Sequence, residues 1–314
     1  MAHARHTHSK HHHHPVNEKR LLAATLLNLV ITVVEVAGGF LSGSIALMSD
    51  ALHNLSDTFA TFIAYMAILI GKREANSKKT FGYKRVEILA ALLNAVILLI
   101  ICLFLLKEAY QRLNDPRSVN SVIMIIVAMI GLLANLFAII ILKKDAHKSL
   151  NVKAAYVHLI GDAFSSLLVV AGGLLIRFWH IYWIDPLITA VIAIYIIREA
   201  FVILRESVQI LMQSAPENLD LEMVRRRVEK DPEINNIHHL HAWMLTDQQV
   251  HLEAHIELTR DVKLSEVTKT RQEIEKMLKR EFGINHVTLQ FEYDPGHAPH
   301  LIHQEITKSS GKND

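Results

Sequence analysis

His53 and Asp57 stand four residues apart, and so do His158 and Asp162. At about 3.6 residues per turn each pair shares one face of a helix. Both pairs lie in runs that are otherwise almost wholly apolar. An ionisable side chain at membrane depth costs roughly 2.5–3.5 kcal/mol to insert, so several on one stripe call for a cation or a wet cavity. Two imidazoles and two carboxylates are the donor types and the number of a tetrahedral Zn²⁺ site. A polar contact between helices uses the same residue types, but it has no need to repeat the spacing. Asp50, three residues before His53, falls on the same stripe. It is read as lying outside the coordination shell, behind it or in an outer vestibule.

Such a site has a built-in competition. Histidine and carboxylate must shed protons to hold a divalent ion. Protons arriving from one side therefore displace the metal, and return of the protonated site couples the two fluxes. His53 and His158 are the expected carriers, because imidazole titrates near neutrality.

These residues need membrane helices to position them. The chain has 314 residues, 51% of them hydrophobic, and a net charge of only +2, which gives no sign of a nucleic-acid partner. The single cysteine, Cys102, excludes disulfides and cysteine-cluster metal sites. Six apolar runs, at 21–41, 47–71, 86–106, 122–142, 154–178 and 183–204, each approach the length needed to span a bilayer. No Ala-x-Ala-like cleavage site closes the first, so no signal peptide is expected. Lysine and arginine concentrate in the second-to-third and fourth-to-fifth connections, which places both termini in the cytoplasm; the plasma (inner) membrane is the expected host. The third-to-fourth connection, with Lys107, Arg112 and Arg117, is a partial exception.

One requirement is exposed. By hydropathy His53 lies about 9 Å outward of the centre of its span and His158 about 12 Å inward, at about 1.5 Å per residue. Either the two helices are staggered, or the fifth starts near Ser149 and the second reaches further outward.

Residues 1–20 form a His-rich tail, with His3, His6, His8 and His11 to His14. It reads as low-complexity, with weak exchangeable metal binding or a cloning tag as its origin. After the membrane part, 21–213, residues 214–295 read as a small cytoplasmic α+β domain, and 296–314 as a tail with His297, His300 and His303. A helix at 220–230, strands at 234–245 and 250–258, a helix at 265–281 ended by Gly283, and a strand at 286–293 predict two helices on a three-stranded sheet. Its strands are dense in ligand types: His238, His239, His241, His251, His255, His286 and Glu292. Adjacent strands bring such residues within reach of one ion.

The chain resembles the cation diffusion facilitator family in its zinc-transporting branch. The resemblance rests on Ser44-Ile-Ala-Leu, Asp50-Ala-x-His53-x-x-x-Asp57, Phe81-Gly-Tyr83, Asn151-Val-x-x-Ala155, His158-x-x-x-Asp162 and Asp185-Pro186. In the last domain it rests on His238-His-Leu-His-x-Trp243 and Thr288-Leu-Gln-x-Glu292, so it covers residues 20–295. It implies a homodimer of six-helix protomers, each with a ferredoxin-like cytoplasmic domain. It implies export of a divalent metal in exchange for protons by alternating access. The transport site it implies is His53, Asp57, His158 and Asp162, with histidine at the first position fitting zinc and, as companions, cadmium or cobalt. A regulatory zinc site would use His238, His255 and Glu292, with His239, His241, His286, His297 and His300 as lesser candidates. No cofactor is implied: zinc is the cargo and a regulatory ligand, and lipid and a second protomer are the partners. The family's charge pair between protomers would join Arg85 to an acid where Gln213 stands, and the 73–80 loop has no histidine or aspartate for a further metal site.

Two readings from other classes compete. A membrane metallohydrolase could hold a catalytic zinc on the same four residues, but the chain has no His-Glu-x-x-His and no evident general base beside them. A metal sensor anchored by its helices would leave the intramembrane ligands without a task.

Overall fold

The computed structural model describes residues 18–71, 74–143, 150–294 and 301. Six helices come first: α1 (Glu18–Ser42), α2 (Ile45–Gly71), α3 (Val86–Asn114), α4 (Ser121–Lys143), α5 (Leu150–Trp179) and α6 (Ile184–Leu211). Then follow α7 (Leu221–Val228), β1 (Ile234–Thr246), β2 (Gln249–Leu258), α8 (Leu264–Phe282) and β3 (Ile284–Glu292). Five of the first six helices are long and apolar enough to cross a membrane, and α1 adds a shorter apolar stretch, Leu29–Ser42, within its 25 residues. The chain divides into two compact units, Met1–Ile63 with Leu93–Val202, and Ala64–Leu92 with Ile203–Asp314.

In the first unit the helices pack where side chains are smallest. A Cβ added at Gly38 would come within 2.6 Å of Val127, and one at Gly131 within 2.2 Å of the Glu35 carboxylate, so α1 and α4 touch through glycine. Gly172 and Gly173 of α5 lie as tightly against Ile188 and Ile125. In lipid there is no hydrophobic drive between helices, and close backbone approach supplies the dispersion contact instead.

The start of α2 is fixed by a helix far away in sequence. Asp185, at the head of α6 and fully buried, accepts hydrogen bonds from Ser44 Oγ (2.5 Å) and from the backbone N–H groups of Ile45 (2.9 Å) and Ala46 (3.3 Å). These are orphan donors at a helix N-terminus, and a carboxylate there also meets the positive end of the helix dipole. Ser44 Oγ in turn accepts from Leu47 N–H at 3.1 Å. This explains why the Ser44-Ile-Ala-Leu and Asp185-Pro186 motifs belong together: they clamp the helix that carries His53.

In the second unit the order helix–strand–strand–helix–strand is the expected one. The sheet runs β1-β2-β3, with β1 and β2 antiparallel and β2 and β3 parallel. Asp220 caps α7 by accepting from Glu222 and Met223 N–H, and Gly283 ends α8 at φ +69°, a conformation that costs glycine little. Val224 and Val228 of α7, and Ile274 and Leu278 of α8, bury against Leu252, Ala254 and Ile256 of β2. Each such fully buried aliphatic side chain contributes about 1.5–3 kcal/mol. Arg227 of α7 pairs with Glu281 of α8 through two hydrogen bonds, at 2.7 and 3.0 Å. Strand alternation sends His251, Glu253, His255 and Glu257 to the face opposite that core.

Candidate metal centres

The two intramembrane pairs meet. Asp50 of α2 bonds Ser165 and Ser166 of α5, His53 lies beside Asp162, and Asp57 lies beside His158. Rising numbers on α2 thus match falling numbers on α5, so the helices run antiparallel. Asp57 Oδ2 lies 3.5 Å from His53 Nε2 and 3.2 Å from His158 Nε2. Asp162 lies 3.7 Å from His53 Nε2 and 3.6 Å from His158 Nε2. Each carboxylate therefore bridges both imidazoles, whose rings stand 5.8 Å apart at 67°. Zinc ligands at about 2.0–2.1 Å on a tetrahedron lie about 3.3–3.4 Å from one another, so the two Asp57 Oδ2 separations are within a few tenths of an ångström of a coordination edge, while Asp162 meets His53 through Oδ1 and His158 through Oδ2. Single ligand atoms from His53, Asp57 and His158 all fall within 4.8 Å of one another. Asp162 is 2% exposed and His158 42%, so the donor set has a closed side and an open one.

The depth mismatch is taken up by stagger. His53 is eighteen residues from the C-terminal end of α2, and His158 is eight from the N-terminal end of α5. The difference corresponds to about 15 Å of helix. The fifth helix also begins at Leu150, near the Ser149 alternative, and the second begins two residues before the hydropathy edge at Leu47.

Asp50 stays out of the shell. Its carboxylate accepts from the Ser165 hydroxyl and, at 3.0 Å, from the Ser166 hydroxyl, and it is fully buried. Ser165 also donates to the Asp162 carbonyl at 2.9 Å, so Asp50 braces the turn of α5 that presents Asp162. Glu35 of α1, likewise buried, accepts from Asn54 Nδ2 at 2.7 Å, which ties α1 to the turn after His53. The serines were missed in the sequence, although Ser165 and Ser166 follow Asp162 by three and four residues and so share its face.

In the second unit His238, His255 and Glu292 converge. His255 Nδ1 lies 2.7 Å from Glu292 Oε1, His238 Nε2 lies 3.4 Å from Glu292 Oε2, and the two rings are 5.4 Å apart. The register does this: His238 pairs directly with His255, and Glu292 follows Gln290, the partner of His255 on β3, by one pleat. His238 Nδ1 is 2.7 Å from Asn236 Oδ1, and Asn236 also bonds Glu257. With Nδ1 donating to Asn236, Nε2 carries the lone pair and faces Glu292, the second-neighbour device that orients histidine ligands. Asn236 carries no metal-binding signature in sequence and was not anticipated.

The lesser candidates divide. His239, at φ +50° in the bulge between His238 and His241, stacks on His255 at 4.7 Å and borders His241 at 5.2 Å. His286 is not with them: it lies against His251, 4.7 Å between rings, two rows further along the sheet. His297 and His300 lie outside the described residues.

The chain is similar to known proteins along nearly its whole length. A family model described as the cation efflux transmembrane domain matches residues 21–212, and one described as the cytoplasmic domain of cation efflux proteins matches 216–294. The metal cation efflux system protein CzcD of Cupriavidus metallidurans is 38% identical over 285 residues, 90% of each chain. A cadmium, cobalt and zinc/H(+)-K(+) antiporter of Bacillus subtilis is 36% identical over 283 residues, 90% of this chain and 91% of its own. The zinc transporter ZitB of Escherichia coli is 35% identical over 301 residues, 95% of each. With both parts of the sequence matched and these relatives covering nearly all of it, the chain belongs to the cation diffusion facilitator family and is an integral membrane exporter of divalent metal cations.

Proposed function

We propose that zinc is the favoured cargo, that it leaves the cytoplasm through the site formed by His53, Asp57, His158 and Asp162, and that protons return in exchange. The observation that carries this reading is the set of four histidine–carboxylate separations of 3.2–3.7 Å, one within α2, one within α5 and two between them. Two nitrogen and two carboxylate donors suit zinc, and the same donors bind protons when the metal leaves. The relatives named for zinc, cadmium and cobalt, and for antiport with H⁺, support the cargo and the counter-ion. All four side chains serve as ligands, so the reading assigns no bond-making chemistry to the chain and no cofactor.

In the same reading the membrane part is 21–213 and the cytoplasmic domain 214–295, with His-containing tails at 1–20 and 296–314. Both termini face the cytoplasm of the plasma (inner) membrane, as the basic connections favour. His238, His255 and Glu292 bind a regulatory zinc, and two protomers form the working unit. Everted vesicles loaded acidic test the transport claim with a panel of zinc, cadmium, cobalt and nickel. Zinc uptake that collapses when the pH gradient is dissipated is expected. Uptake indifferent to the gradient would remove protons from the mechanism, and no uptake of any of the four would remove transport.

A further inference from the structure

Outside both metal centres, the second unit holds a cavity of about 490 Å³ whose lining includes Thr80, Lys84, Gln249, His251, Asn285 and His286. It lies beside the segment that leaves α2 and enters α3. Lys84 from that segment, His251 on β2 and His286 on β3 line it, Arg85 lies near enough to act on the His251 charge, and no carboxylate lines the cavity among the described residues. His251 is only 6% exposed, held between the rings of Phe81 (5.6 Å), Trp243 (5.5 Å) and His286 (4.7 Å), and its Nδ1 makes no hydrogen bond among the described residues. Arg85 Nε, buried, also makes none. Lys84 Nζ is tethered to Gln249 Oε1 at 2.8 Å, which holds its charge at the cavity rim.

We infer that this cavity binds a phosphate group, carried by an anionic phospholipid or free in solution. Like charges gathered in a concave, partly dry place raise a local positive potential that an anion relieves. Lysine, arginine and imidazolium give charge-assisted bonds to phosphate oxygens, and α3, beginning at Val86, points its N-terminal end toward the same segment. Basic pockets on the cytoplasmic side of membrane helices take lipid headgroups by this chemistry. Burial first, and then His286, Lys84 and Arg85, hold the His251 imidazole below its ordinary range, so the cavity without an anion disfavours a proton on it. The cavity shares no lining residue with the His53, Asp57, His158 and Asp162 group.

The test uses the full chain in metal-free nanodiscs. Inorganic phosphate is titrated calorimetrically into phosphatidylcholine discs, and retained phosphatidylglycerol is counted by native mass spectrometry from mixed discs. Saturable phosphate binding, selective phosphatidylglycerol retention, or both are expected, and which appears identifies the source. Lys84→Gln and, separately, the exposed His286→Asn each weaken it about tenfold, the size of one charged hydrogen bond. Lys78→Gln with Lys79→Gln, which removes two charges from the same loop outside the cavity lining, leaves it unchanged. Absence of both ligands, or equal losses in the Lys78/Lys79 variant, overturns the site.

Discussion

Replacing Asp162 by asparagine keeps the shape of the side chain and removes its charge at the point where two imidazoles meet. Asp162 is 2% exposed and lies 3.6–3.7 Å from both His158 Nε2 and His53 Nε2. A four-ligand zinc site worth about 10–16 kcal/mol in apparent binding assigns about 2.5–4 kcal/mol to each ligand. At about 1.4 kcal/mol per decade that is a loss of two to three decades in zinc affinity. Competition against a fluorescent chelator measures it, in a background whose tail histidines are serine and whose His238 and Glu292 are alanine. A monodisperse elution profile shows that the variant is folded. A Kd within about threefold of the parent, in a folded protein, refutes the four-ligand shell and with it the reason the two helices carry matching pairs.

Other consequences follow from the packing. Asp185→Ala strips the cap from α2 and leaves Ser44 Oγ and two N–H groups without their acceptor. A loss of about 1–2 kcal/mol is expected, seen as a lower melting temperature in detergent. Gly131→Ala drives a methyl into the Glu35 carboxylate, at 2.2 Å in the present backbone, and costs about 1–3 kcal/mol by the same assay. His251 has a folded-state pKa held below the ordinary imidazole value, through burial first and then the neighbouring His286, Lys84 and Arg85. The unfolded chain therefore binds more protons in that range, and the stability His251 contributes is present above about pH 6.5 and lost as pH falls through its folded value. Thermal melts from pH 8 to 5 read this as a slope that His251→Gln reduces.

Much of this arrangement was legible because it depends on period. A spacing of four on two apolar runs fixes which face carries His53, Asp57, His158 and Asp162, and alternation in β2 fixes that His251 and His255 share a face. Stagger was not legible. It depends on where helices end beyond the hydrophobic slab, and hydropathy does not mark the polar turns that α5 adds before Ala154. Nor were the polar partners: the long-range capping of α2 by Asp185, the distant serines that hold Asp50, and the Asn236, two residues away, that turns His238. Each is an ordinary residue whose role is set by a neighbour more than a hundred positions away, or by the bulge after His238. His286 shows the converse error. As a strand histidine it looked like one more ligand, but parallel register with β2 pairs it with His251 and leaves it outside the His238 group.

The measurement that bears most directly on the central claim is zinc K-edge absorption on the full-length protein holding one equivalent of zinc, in the background without tail histidines, His238 and Glu292. Four nitrogen or oxygen neighbours at about 2.0–2.2 Å are expected, with the multiple-scattering pattern of two imidazoles that drops to one in His53→Ala and, separately, in His158→Ala. A first shell without imidazole, or one that neither substitution changes, would contradict it.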